Sequence, residues 1–238
     1  MDISFKQTIE LSIDKHGYHV TVVGAGIVPR FAYSIGLYRL FEFELVFPGG
    51  IWYMKDQVLQ IFYTIFDSLK LDKNTLSKSI AVKDLGNFSF LPVDQSWSKL
   101  MTLGVFDFYQ QPNVQVYQIL PDSEHSTLDI PDMSKEWSVS TSPVWRWLND
   151  KWTYNVPEAS TVATNLSALQ GEQITELMRW EEDEWEMFAG SGPDVRQEDA
   201  RIIPLATILG IDNTLLPALD LKIGKGLWRT DGDSAWQS

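Results

Sequence analysis

The chain has 238 residues, 44% of them hydrophobic, with ten tryptophans. That is enough apolar material for one large folded domain or two small ones, and it excludes a disordered chain. There is no cysteine, which excludes disulfides, thiolate catalysis and cysteine-type zinc sites, and a net charge of −13 disfavours a phosphate-backbone partner such as nucleic acid.

The charge is uneven. Residues 1–150 hold 12 basic and 17 acidic side chains, a net of −5, while residues 151–238 hold 7 and 15, a net of −8. Such a surface steers a basic partner inward. The start, MDISFKQTIELSIDKHG, lacks a basic segment followed by an apolar one, so no secretory signal is expected. No apolar run approaches the ~20 residues that span a bilayer. The expectation is a cytoplasmic protein with no membrane partner.

In chain order, residues 18–23 (YHVTVV) read as a strand, Gly24, Gly26 and Pro29 as a turn, and residues 31–37 (FAYSIGL) as the paired strand, with another at residues 45–47. From Asp56 to Leu69 the spacing turns helical, with Val58, Leu59, Phe62, Ile65, Phe66 and Leu69 on one face. Strands are expected at residues 80–82 and 88–93, a helix over 97–109 and a strand at 114–120. Residues 121–143 have linker composition, and the boundary between two domains, 1–140 and 141–238, falls near Ser140. Trp145, Trp147 and Trp152 just beyond it serve either to stitch the two domains or simply to fill a core.

In the second domain a strand begins near Thr161, and a helix runs to about Gln170, stopped by Gly171. Residues 174–180 and 185–188 form a hairpin. A helix starts at Ala206, Asp212 caps the turn from Thr214 to Leu219, and a last strand covers residues 226–229. The hairpin turn gathers Glu181, Glu182, Asp183 and Glu184, with Glu186 just beyond and Trp180 and Trp185 on either side. These seven residues are the candidate partner-binding site. Without regular βαβ alternation, the fold class is α+β: two small mixed domains, each a mostly antiparallel sheet with packed helices.

Motifs for chemistry are scarce. Gly24-Ala25-Gly26 after an apolar strand, with Glu44 downstream, imitates the start of a dinucleotide-binding turn, but Pro29 stands where a third glycine belongs and no helix follows. His16 and His19 are three apart on a stretch read as extended, which points their rings to opposite faces and disfavours a metal site. No Gly-x-Ser-x-Gly elbow, Ser-His-Asp order or Gly-Lys-Ser/Thr phosphate loop is present. No catalytic residue, cofactor or metal is expected.

His16-Gly17-Tyr18-His19-Val20, Phe31-Ala32-Tyr33-Ser34-Ile35-Gly36-Leu37, Glu44-Leu45-Val46 and the later Val116 to Asp122 resemble a bacterial domain family of unknown function, family 4262, over about residues 8–135. Phe41-Glu42-Phe43 replaces the Phe-Gly-His-Pro of many members. The resemblance implies a compact α+β domain and no known reaction. Residues 158–238 resemble the immunity protein 33 family. The resemblance rests on Thr161 to Thr164, Trp185-x-Met-Phe188-x-Gly190, Leu205-x-Thr207-Ile208, Asp212, Pro217-x-Leu219-Asp220, Gly224 and Trp228-Arg229. Ser191 and Leu227-Trp228 depart from that pattern. This second resemblance implies inhibition, by binding, of a cognate toxin, which the acidic surface expects to be basic. The alternative is an enzyme or cofactor-binding protein with a pocket near Tyr33, His16 and His19.

Overall fold

The computed structural model describes residues 3–232 and 234–238. The chain forms two compact units. The first comprises residues up to Gly24, Arg30–Ser126 and Asp132–Trp137; the second comprises Ala25–Pro29, Thr127–Pro131 and Ser138–Ser238. No described helix is long and apolar enough to cross a membrane.

The first unit opens with helix α1 (Ile3–His16), which the sequence pattern did not announce. Gly17, at φ +87°, turns the chain out of α1 into β1 (His19–Val23). β1 pairs antiparallel with β2 (Phe31–Ile35). A single helical turn, α2 (Tyr38–Phe41), leads to β3 (Phe43–Pro48). Helix α3 (Lys55–Leu71) follows, its start held by the Gln57 side chain, which accepts the Met54 N–H at 2.7 Å. Then come β4 (Ile80–Val82), β5 (Gly86–Pro92), α4 (Gln95–Met101), α5 (Leu103–Tyr109) and β6 (Gln115–Pro121). The six strands lie in the order β1-β2-β3-β6-β5-β4, antiparallel except for the central β3–β6 pair.

Helix α3 buries Val58, Ile61, Phe62, Ile65, Phe66 and Leu69, in one cluster with Leu45, Phe47 and Phe88 of the sheet. Ile61 joins this face, whereas Leu59 is 36% exposed, one position off the stripe expected for it. Every residue of β2 and β3 is buried, as happens when both sheet faces are covered. α5 supplies the second cover, and Gly104 lies so close to Tyr33 that an added Cβ would sit 2.5 Å from its hydroxyl. The single helix expected over 97–109 is two, broken at Thr102, whose hydroxyl donates to the Ser98 carbonyl and whose backbone leaves helical geometry.

Residues 121–143 have the composition of a loose linker, yet they are anchored. The Met133 carbonyl accepts the Asp94 N–H at 2.8 Å, Asp129 is fully buried, and its carbonyl accepts the Trp145 indole N–H at 2.8 Å.

The second unit holds β7 (Thr161–Asn165), the single turn α6 (Leu166–Leu169), β8 (Glu176–Arg179), β9 (Glu184–Phe188), β10 (Ala200–Pro204), α7 (Leu205–Ile211) and β11 (Lys225–Trp228). Its sheet order is β10-β7-β9-β8-β11, again with one parallel pair, β7–β9, among antiparallel neighbours. The inner face buries Leu177, Trp185, Met187, Val162 and Ile203. α7 crosses the 3-10 helix Pro143–Leu148 at Gly210, where a Cβ would meet the Val144 Cα at 2.6 Å. Trp145 and Trp147 are buried within this unit, and Trp147, Trp152 and Tyr154 form an aromatic cluster with centroids 4.8–6.0 Å apart.

Candidate functional site

The β8–β9 hairpin is formed as its sequence suggested, with Arg179 paired opposite Trp185 and Met178 opposite Glu186. Glu181, Glu182, Asp183 and Glu184 are exposed at its tip, and Trp180 is 49% exposed beside them. Among the described residues none of these carboxylates, nor that of Glu186, forms an ion pair. The turn is held from behind by Arg179, whose guanidinium donates to the carbonyls of Glu181 at 3.2 Å, Glu182 at 2.8 Å and Leu221 at 2.8 Å. The Arg179 N–H groups are thus spent on backbone carbonyls and not on the carboxylates of the turn.

Trp185 is a correction. The alternation of β9 turns it inward, where it is 2% exposed beneath the Arg179 guanidinium, 4.6 Å from its ring. It supports the tip and cannot touch a partner. Glu186, one residue on, faces outward and is half-buried.

The outward positions along the middle of this sheet make an open row, although Phe188, opposite Glu176, is covered. Register places Trp228 opposite Glu176, and Gly226 and Glu186 on either side of Met178; Ala163 and then Ile202 continue the row across β7 and β10. Trp228 is 50% exposed and Ile202 79%. Trp180, Met178, Trp228, Glu176 and Glu186 line a hollow of about 480 Å³ on this face. Sequence reading named the hairpin tip but missed Trp228, Met178 and Glu176; the period-two alternation of β8 against β11 was the signal that joins them.

The other candidate residues fall elsewhere. Glu44, the acid placed where a ribose-binding residue would stand, is fully buried. Its carboxylate accepts from Ser34 Oγ at 2.5 Å, Tyr109 Oη at 2.6 Å, Gly36 N–H at 2.8 Å and Tyr38 N–H at 3.0 Å. Burial raises its pKa from the usual glutamate value, against these donors, which favour the ionised form. His16 is not on an extended chain: it closes α1, while His19 opens β1, and both line a hollow of about 370 Å³ with Tyr18, Tyr63, Leu59 and Ser12. Burial lowers the His19 pKa. Tyr33 is not among these residues; its hydroxyl lies against α5. The third histidine, His125, holds Asp122 at 2.5 Å and packs on Trp52 and Tyr53. Among the described residues no group of three or more His, Asp or Glu is placed to hold a metal.

Residues 12–127 match the family described as a domain of unknown function (DUF4262). The quoted motif now has a physical meaning, since Ser34, Gly36 and Glu44 are the parts of the buried carboxylate network. Neither the curated proteins nor the solved structures contain a match to this chain.

Proposed function

We propose that this protein is a cytoplasmic immunity protein that binds a basic cognate toxin and blocks its active or substrate-binding surface, without catalysis. The observation that carries the reading is the open row of the second sheet, which presents half-exposed tryptophans beside carboxylates that form no ion pair among the described residues. Such a surface combines the aromatic anchors of binding hot spots with the charge that accelerates encounter with a basic protein. The resemblance to the immunity family supports it further, because two of its motif residues, Asp212 and Arg229, meet in space at 3.3 Å.

The test is co-expression with the product of the neighbouring gene. Rescue of growth from a lethal neighbour supports the reading, and lack of rescue by a folded, expressed protein rejects it. Replacing Glu181, Glu182 and Asp183 by lysine is expected to slow association, more strongly at low salt, and an unchanged association rate would remove the hairpin tip from the interface. A second reading, a small-molecule or cofactor-binding protein, is favoured by the hollow that gathers His16 and His19. Purified protein carrying a stoichiometric metal, nucleotide or chromophore would support that reading instead.

A further inference from the structure

The open sheet face contains a trough with the chemistry of a cation receptor. The outward positions of β11 and the turn before it are Gly224, Gly226 and Trp228, so two of the three carry no side chain. At Gly226 a Cβ would lie 2.8 Å from the Leu177 carbonyl oxygen and 3.0 Å from the Met178 Sδ, whereas at Gly224 the space is open. The missing side chains leave a channel floored by the Met178 thioether. Trp228 stands at one end and Trp180 at the other, both half-exposed.

Glu176 and Glu186 flank this channel on the β8–β9 side. Glu176 accepts one backbone N–H, from Gly192 at 3.1 Å, and neither carboxylate forms an ion pair among the described residues. The two arginines nearby are engaged elsewhere, and strand alternation puts Lys225 on the other face of the sheet from Gly226. Arg179 lies on the opposite face over Trp185, and Arg229 is buried against Asp212, Ile174 and Gly232. Indole faces attract a cation through their quadrupole, a thioether accommodates an aliphatic stem, and unpaired carboxylates complete the charge. A planar guanidinium suits this combination better than a compact ammonium, because it stacks on indole while its N–H groups reach sideways to carboxylates.

Resting on the reading of this face as the partner surface, we propose that the trough receives an arginine side chain of the bound protein, stacked on Trp228 or Trp180 and hydrogen-bonded to Glu176 and Glu186.

The test uses the full chain, labelled at the indole nitrogens, and two probes: N-acetyl-arginine amide and its neutral isostere N-acetyl-citrulline amide. The indole N–H resonances are assigned through Trp180→Phe and Trp228→Phe. The arginine probe is expected to shift the Trp180 and Trp228 resonances and leave that of buried Trp185 in place, and citrulline is expected to leave all of them in place. Paired Glu176→Gln and Glu186→Gln substitutions, which keep a carbonyl acceptor for Gly192, are expected to weaken the arginine titration by about fivefold or more. Equal shifts with citrulline, unchanged affinity in the paired variant, or no shift at all would overturn the proposal. The two readings fail separately. A toxin that is neutralised while arginine moves no indole removes the trough and leaves the immunity reading. An arginine titration without any neutralised neighbour does the reverse.

Discussion

The Tyr109 hydroxyl donates to the Glu44 carboxylate at 2.6 Å across 65 residues of sequence, tying the end of α5 to the middle of the first sheet. The same hydroxyl accepts the Gly36 N–H at 2.7 Å, so one phenol satisfies a carboxylate and closes the turn after β2. Burial and the neighbouring Glu44 charge together push the Tyr109 pKa far above its ordinary value, so it remains a donor at all physiological pH.

Tyr109→Phe keeps the ring against Tyr38 and Phe108 but removes this donor. It is expected to lower stability by about 1–3 kcal/mol, and Glu44→Ala, which takes the acceptor from Ser34, Tyr38 and Tyr109 while the Gly36 N–H keeps the Tyr109 oxygen, by about 3–5 kcal/mol. The double variant should cost less than the sum, because both changes break one network. Urea denaturation of the four proteins measures this, and strict additivity would contradict the shared network.

The Glu44 carboxyl has a folded-state pKa above the ordinary value of 4.5. Folding therefore takes up a proton that the unfolded chain releases. This contribution is fully present below the unfolded value and is lost as pH rises through the higher folded one. The stability of the native chain relative to Glu44→Gln, which cannot titrate, is expected to fall as pH rises from the ordinary glutamate value of 4.5 through the higher folded one. Denaturation midpoints of both proteins across that range check it; a difference independent of pH would refute it.

Trp185→Ala and Trp180→Ala separate support from contact. The first opens a cavity under Arg179 and is expected to cost about 3–5 kcal/mol. The second removes a half-exposed ring and should change stability by no more than about 0.5 kcal/mol while weakening partner binding. Thermal unfolding and a binding titration, read side by side, decide between these roles.

Arg229 is 5% exposed and donates to Ile174 O at 2.7 Å, Gly232 O at 3.0 Å, Thr214 Oγ1 at 3.2 Å and Asp212 Oδ2 at 3.3 Å, with Trp236 at 4.3 Å from its guanidinium carbon. A lysine has neither the fork nor the plane to replace it. Arg229→Lys and Arg229→Ala are both expected to destabilise the protein, the alanine variant by about 3–5 kcal/mol, and Arg229→Lys should recover less than half of that loss in thermal unfolding.

Much of the fold was legible because its signals are local. The β-branched run at Val20 to Val23, the helical stripe of α3 and the Asp212 cap each declare themselves within a few residues. The first helix did not, because it buries Ile9 as its anchor and otherwise lies largely in solvent, which leaves little periodicity to read. The carboxylate network was missed for the opposite reason. A glutamate within the apolar run Phe43–Pro48 is a clear anomaly, but its partners come from β2, α2 and a helix far along the chain, and no spacing rule connects them. The candidate binding residues were legible as an acidic turn. Which tryptophan faces out depended on strand phase: Trp180 lies on the open side, and Trp185, an odd number of positions away in the hairpin register, turns in.

Each of the two sheets is built around one parallel pair, β3 with β6 and β7 with β9. For a nascent polypeptide this imposes a delay. As the ribosome releases the chain, the inner edge of β3 must wait, bare of its neighbour, until the segment near residue 115 has cleared the exit tunnel, and β7 waits likewise for β9. In those intervals β3 and β7 each have an edge open to mispairing, and long-range closures of this kind are slow. The order of synthesis is thus written into the topology: neither sheet can close until its later central strand has emerged.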